Sequence, residues 1–239
     1  MSRSILITGG NRGISHAAAR AFAGMGDKVA FPCRSGEPAE DLVQRGCLAV
    51  RCGVTEPEQV ELAFKEAEAA HGPVEVLVAN AGITRDQLLV RTSEEDFALV
   101  LETNLFGAFR TAKRAVRSML RARHGGIVLV SSAVAFKGEA GQTNYAAPKV
   151  GLIGFGRSLA REIGSRGITV NVVTPGLTDT DMTAALDEGR GAAIVREVPL
   201  NRIGRPGEIA STIAFLASDA ASYVTGAVVP VDGGISMGH

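Results

Sequence analysis

Short apolar runs recur along the chain, each closed by glycine or by a cluster of polar residues. Ser4 to Thr8, Lys28 to Phe31, Leu48 to Arg51, Val74 to Val78, Ile127 to Val130, Ile168 to Val173 and Ala227 to Val231 are too short for helices. Their aliphatic, largely β-branched content predicts strands buried in a parallel sheet. Between them apolar residues fall at helical spacing. A first helix is expected from the turn at Gly13 to about Gly24. Thr55, followed by Pro57 and Glu58, predicts a capped helix reaching about His71. Ser93 with Asp96 opens a long helical region that contains Asn104, runs to about Arg123 and stops at His124-Gly125-Gly126. Thr143 and Asn144 are the expected caps of a helix that carries Tyr145 and Lys149 and continues from Val150 to Ala160; Glu208 to Ala217 is the last. Leu177 to Pro206 is polar and weakly periodic, and its length at a strand's C-terminal end predicts a lid. This alternation, without repeat or linker, predicts one α/β domain over residues 1–239: a doubly wound parallel sheet of about seven strands with helices on both faces.

Composition narrows the function classes. Lys plus Arg and Asp plus Glu number 25 each, so nothing suggests nucleic acid or a membrane surface as the main partner. No apolar stretch approaches the roughly 20 residues needed to span a bilayer. The N-terminus enters a strand without a signal-peptide pattern, which predicts a cytoplasmic protein. Cys33, Cys47 and Cys52 are odd in number and lack C-x-x-C spacing, as reduced thiols do. His16, His71, His124 and His239 are scattered, and no metal site is expected.

Candidate chemistry lies at the ends of two strands. Gly9-Gly10-Asn11-Arg12-Gly13-Ile14-Ser15 joins a strand to a helix, the arrangement that receives a pyrophosphate at a helix N-terminus. Its spacing is T-G-x-x-x-G-x-S, not G-x-G-x-x-G. After the second strand Arg34 stands where an acid would bind a ribose 2′-hydroxyl; with Arg12 nearby this favours NADP over NAD. The run Ile127 to Val130 delivers Ser131 and Ser132 to its C-terminal end. Tyr145 and Lys149, spaced i and i+4, share one helical face. A phenol ionises near pH 10, and a neighbouring ammonium is expected to lower that value and make Tyr145 a usable acid. Beyond Lys149, Gly151, Gly154 and Gly156 each cost roughly 1 kcal/mol in helix propensity, which calls for a close neighbour.

Thr8-Gly9-x-x-x-Gly13, Asn80-Ala81-Gly82, Asn104, Ser132, Tyr145-x-x-x-Lys149, Pro175-Gly176 and Val231-Asp232-Gly233-Gly234 stand in one order along the chain. Jointly they make it resemble the short-chain dehydrogenase/reductase family, and within it the 3-oxoacyl-[acyl-carrier-protein] reductases, over essentially its whole length. The resemblance implies a Rossmann-like fold with a cofactor half to about residue 125 and a catalytic and substrate half beyond. It implies NADPH-dependent reduction of a 3-oxoacyl thioester in fatty-acid biosynthesis. Tyr145 would be the catalytic acid and Lys149 would lower its pKa and hold the nicotinamide ribose. Ser132 would bond the substrate carbonyl, and Asn104 would support a proton relay to Lys149. The cofactor would lie along Gly9, Asn11, Arg12, Gly13 and Ile14, past Arg34 and Asn80, Ala81 and Gly82, to Pro175, Gly176 and Thr178. Acyl carrier protein would be a partner, met by Arg123 and Arg166, and the assembly would be a homotetramer. A ketoreductase of polyketide or small-carbonyl metabolism, and a nucleotide-binding scaffold without turnover, are the competing readings. Three positions depart from the pattern: Ser15 replaces a third glycine, Gly53 an aspartate beside the adenine, and Pro148 a small residue before the lysine. Ser15 is expected to crowd the turn, so that glycine there would tighten cofactor binding.

Overall fold

The computed structural model describes residues 2–9, 11–33, 37–184 and 188–238. The apolar runs pair into one sheet of seven strands: β1 (Ser4–Ile7), β2 (Lys28–Pro32), β3 (Leu48–Val50), β4 (Val76–Ala79), β5 (Gly125–Val130), β6 (Ile168–Pro175) and β7 (Val228–Val231). Their spatial order is β3-β2-β1-β4-β5-β6-β7, and every neighbouring pair is parallel. Order reverses between β1 and β4, where doubly wound sheets open a crevice for ligands.

Helices α1 (Gly13–Gly24), α2 (Glu40–Gln44), α3 (Pro57–His71), α4 (Glu94–Leu101), α5 (Gly107–Ala122), α6 (Val134–Lys137), α7 (Thr143–Ile163), α8 (Asp181–Ala184), α9 (Glu188–Glu197) and α10 (Pro206–Leu216) follow in chain order. Strand alternation decides which side each residue serves. Leu6, Leu77, Ile127 and Leu129 meet Phe64 of α3, Met119 of α5 and Leu152 of α7. Ile5, Ile7, Val76 and Val128 meet Phe22 of α1 and Ile213 of α10 on the other face. Each large aliphatic or aromatic side chain buried this way contributes about 1.5–3 kcal/mol against unfolding. Among the described residues no helix is long and apolar enough to cross a membrane.

Three local expectations are corrected. The helix at Thr55 starts two residues later, at Pro57, with Glu56 as its uncapped N-cap. Ser93 does cap α4 by accepting from the Asp96 amide, but the long helix beyond it is interrupted by a π-helical turn, Glu102–Phe106, before α5 resumes. Asn104 lies in that turn because both ends of its amide pair with the Ile83 backbone, at 2.8 and 3.0 Å. Thr143 and Asn144 do not cap α7: Gln142 is the N-cap, and the buried Asn144 donates instead to the Arg85 carbonyl. The segment expected to form a lid holds the short helices α8 and α9.

The glycines of α7 have mainly internal partners. A Cβ on Gly156 would lie 2.9 Å from Val172 and 3.1 Å from Leu129, and one on Gly151 3.1 Å from Leu105. Gly154 alone of the three faces open space. The helix therefore lies tight on the sheet, which fixes the height of Tyr145 and Lys149 above β5.

Candidate active site

At the end of β1 the Thr8 hydroxyl accepts from the amides of both Asn80 and Ala81, at 3.0 and 3.1 Å. That bond joins Thr8-Gly9 to Asn80-Ala81-Gly82 across the switch in strand order. Gly9 has φ of +91° and Gly13 of +57°, and a Cβ on Gly9 would press on Asn80, Ala81 and Ser15. Helix α1 begins without a side-chain cap and without an acid in its first turn. Its leading N–H groups stay available to an anion, and the turn before them, with glycine at both 9 and 13, is a cradle that fits a dinucleotide pyrophosphate.

Asn11 and Arg12 have further roles. The Asn11 amide donates to the Glu37 carbonyl and accepts from the Ala39 amide, holding the loop after β2. Arg12 is exposed and pairs with Asp181 of α8 at 3.6 Å, linking the glycine turn to the lid. Ile14 packs against the apolar core on the α1 face. Arg34 lies outside the described residues. Gly53 donates its amide to Gln59 Oε1, so the position expected to hold an aspartate is closed by a local bond.

Ser15 is completely buried. Its hydroxyl donates to the Thr8 carbonyl at 3.2 Å and accepts from the Asn80 amide. This corrects the crowding expectation: the hydroxyl ties together the strand end, the helix start and the segment after β4. Spacing alone hid it, because the partners lie 7 and 65 residues away.

The catalytic candidates converge at the end of β5. Ser131 donates to the Lys149 carbonyl at 2.7 Å and so pins α7 to the strand. Sequence reasoning assigned Ser131 no role; the Ser-Ser doublet was the available signal. Lys149 is buried, and its ammonium donates to the Val130 carbonyl at 2.9 Å. The same ammonium lies 5.5 Å from the centre of the Tyr145 ring. A Cβ on Gly82 would lie 3.3 Å from Asn104 Oδ1 and 3.6 Å from Lys149 Nζ, so both side chains end over this glycine.

Electrostatics at the pair depart from expectation. Burial pushes the Tyr145 phenol up to about 12, a hydrogen bond from Ser132 opposes this, and the Asp86 carboxylate adds to the rise. Burial brings the Lys149 ammonium down to about 8. The expected lowering by the lysine does not appear: Ser132 supplies the only opposing effect, desolvation outweighs it, and Tyr145 is a neutral proton donor at pH 7.

Pro175, Gly176 and Thr178 lie at the end of β6. The Pro175 carbonyl accepts from the Ala133 amide, and a Cβ on Gly176 would meet the Asp232 backbone at 2.7 Å. Thr178 is buried, donates to the Gly176 carbonyl and is bridged to Gly204 at the far end of the lid. Arg123 and Arg166 lie at the opposite, N-terminal ends of β5 and β6, where a Cβ on Gly167 would touch the Arg123 carbonyl at 2.7 Å. The length of β5, roughly 20 Å, separates them from Ser132.

A sheet with this switch, a glycine cradle and a Ser-Tyr-Lys group at the neighbouring strand end define a nucleotide-dependent oxidoreductase of known type: the chain belongs to the short-chain dehydrogenase/reductase family. Residues 9–236 match the family described as enoyl-(acyl carrier protein) reductase. The chain is 49% identical over 240 residues to the 3-oxoacyl-[acyl-carrier-protein] reductase MabA of Mycobacterium tuberculosis (strain ATCC 25618 / H37Rv), an alignment covering 100% of this chain and 95% of the relative. It is 46% identical over 235 residues to the 3-oxoacyl-[acyl-carrier-protein] reductase FabG of Escherichia coli (strain K12), covering 97% and 96% respectively.

Two outcomes follow from these contacts. Ser15→Gly is expected to destabilise the fold by about 1–3 kcal/mol, because the buried Thr8 carbonyl and Asn80 amide lose their partner. Urea unfolding at fixed protein concentration measures this, and a glycine variant as stable as the parent would restore the crowding argument. Lys149→Met is expected to raise stability at pH 7 by about 1–3 kcal/mol, since it removes a desolvated ammonium. The lysine titrates near 8 when folded and at 10.5 otherwise, so between these values the unfolded chain binds more protons. Parent stability therefore rises with pH across that window, and the methionine variant should lack the rise.

Proposed function

We propose that this chain reduces a 3-oxoacyl thioester, carried by acyl carrier protein, to the 3-hydroxyacyl thioester at the expense of NADPH, as a cytoplasmic enzyme of fatty-acid biosynthesis. The observation that carries the proposal is the convergence of Ser132, Tyr145 and Lys149 at the end of β5, with Lys149 ending over Gly82 and only β4 between this group and the glycine cradle after β1. Near-complete coverage of two relatives that bear the name 3-oxoacyl-[acyl-carrier-protein] reductase supports the substrate class.

When bound, the nicotinamide supplies a hydride to the carbonyl carbon. Ser132 and Tyr145 hydrogen-bond the carbonyl oxygen, which gains electron density as the C=O π bond breaks. Tyr145, protonated because its pKa is about 12, passes its proton to that oxygen, so that one C–H and one O–H bond are formed. The buried Lys149 ammonium, over the Tyr145 ring, stabilises the phenolate left behind and is the group we assign to reprotonate it. Asn104 holds Ile83 and with it the segment that roofs this site. Arg12 and Arg34 are the residues we assign to the 2′-phosphate of NADPH; Arg12 must then exchange Asp181 for that phosphate.

A homotetramer forms part of the same proposal. Leu99, Phe106, Phe109 and Val150 are each 40–48% exposed, on α4, the π turn, α5 and α7. Large apolar side chains gathered this way favour a covering surface. Arg123 and Arg166, remote from Tyr145 in their own chain, would engage a carrier serving the site of a neighbouring copy.

Tyr145→Phe should lower turnover of a 3-oxoacyl thioester about 10²–10⁴-fold while NADPH binding changes less than about twofold. The assay is oxidation of NADPH, and of NADH in parallel, with carrier-bound 3-oxoacyl and 2-enoyl thioesters. Turnover of the enoyl substrate alone would transfer the chain to the activity named in its family description. Light scattering at micromolar concentration should give a mass near four chains, and a clean monomer would contradict the tetramer.

A further inference from the structure

Four charged side chains outside the catalytic group join the lid to the loop leading into the catalytic helix. Lys137, the last residue of α6, sits between two carboxylates, 3.0 Å from Glu197 and 3.3 Å from Glu139. Arg190 approaches Glu139 at 3.6 Å and the Ala140 carbonyl at 3.5 Å. Glu197 ends α9 and Arg190 lies in its first turn, so the helix is held near both ends. Lys137 and Glu139 are only about one-fifth exposed, at 19% and 23% of their side-chain surface. Partly shielded pairs are screened by salt less than fully solvated ones. Burial pulls the Lys137 ammonium down, and the two carboxylates outweigh it and raise its pKa above the ordinary lysine value.

The loop these charges grip is braced from its other side. The Gln87 amide donates to the Gly141 carbonyl at 2.9 Å, Gln142 to Asp86 at 2.7 Å and Asn144 to the Arg85 carbonyl at 2.7 Å. The lid chain has separate anchors beyond α9, where the Leu200 amide donates to the Gly233 carbonyl and Gly204 bridges to Thr178. Between those anchors, the four-charge set decides where α9 rests against the loop at 137–144.

We propose that Lys137, Glu139, Arg190 and Glu197 form a clasp that fixes α9 against this loop and so shapes the wall met by the acyl chain. They are positioning residues for substrate and take no part in proton or hydride transfer. The proposal rests on the reading that the chain reduces a 3-oxoacyl thioester.

The test uses the full chain carrying Glu197→Lys alone, or together with Lys137→Glu, Glu139→Lys and Arg190→Glu so that all four charges are reversed and every pair stays opposite in sign. Glu197→Lys places like charges together and should raise KM for a long-chain 3-oxoacyl thioester roughly three- to tenfold, a modest change typical of partly exposed pairs. Its kcat and NADPH binding should stay within about twofold, and the fully charge-reversed variant should recover at least about half of the lost affinity. Amide hydrogen exchange over residues 188–197 should accelerate in Glu197→Lys and slow again in the fully reversed variant. Because Glu197 is 60% exposed, the single variant leaves the core untouched. Unchanged exchange in α9, or no rescue on reversal, overturns the clasp. Should the parent reduce no 3-oxoacyl thioester, the functional reading fails on that result, and exchange alone then judges the clasp.

Discussion

An ammonium buried at the end of an apolar strand is the constraint around which this molecule is arranged. Lys149 is 3% exposed, and at neutral pH its charge must be held by groups the fold supplies. The Val130 carbonyl accepts from it, and the Tyr145 ring presents a π face at 5.5 Å. Both require α7 to lie at one height and one rotation above β5. Gly156 grants that closeness, since any Cβ would strike Val172 and Leu129. Ser131 locks it by donating to the backbone carbonyl of the same lysine.

Helix α7 reaches this position with a poorly secured start. Its N-cap side chain makes no capping bond to the helix, and Pro148 removes an amide that would otherwise donate to the Asn144 carbonyl. Asn144 Oδ1 has no hydrogen-bond partner among the described residues. Long-range bonds replace the missing local ones: Asn144 to Arg85, Gln142 to Asp86, and the Gly141 carbonyl to Gln87. The segment after β4 thus positions the catalytic helix, and Asn104 in its π turn positions that segment. A π turn at such a point matches the general tendency of these bulges to occur at functional sites.

The C-terminal motif seats the end of the lid. Asp232 accepts from the Gly234 and Ser236 amides, which folds the chain back on itself. Gly233 and Gly234, both at positive φ, then lie against Val198, Pro199 and Leu200, where a Cβ would come within 2.5 and 2.9 Å. With Thr178 bridged to Gly204, both ends of the lid are tied to the ends of β6 and β7, on the side of the sheet beyond the catalytic strand β5.

The sheet, its helices and the Ser-Tyr-Lys group were legible in the sequence because their signals are local. Apolar runs of strand length, glycines in a tight turn and an i, i+4 pair each lie within one short window. Their order along the chain sufficed for the family. What could not be read were pairings between distant segments. Ser15 looked like an intrusion until Thr8 and Asn80 were found around its hydroxyl, and Asn144 looked like a cap until Arg85 was found beside it. The same holds for charge. Spacing says that Lys149 is near Tyr145, but the direction of the phenol's shift depends on how much water surrounds it. Only the packing of α7 on β5 settles that, because desolvation acts through every neighbouring atom and has no sequence period.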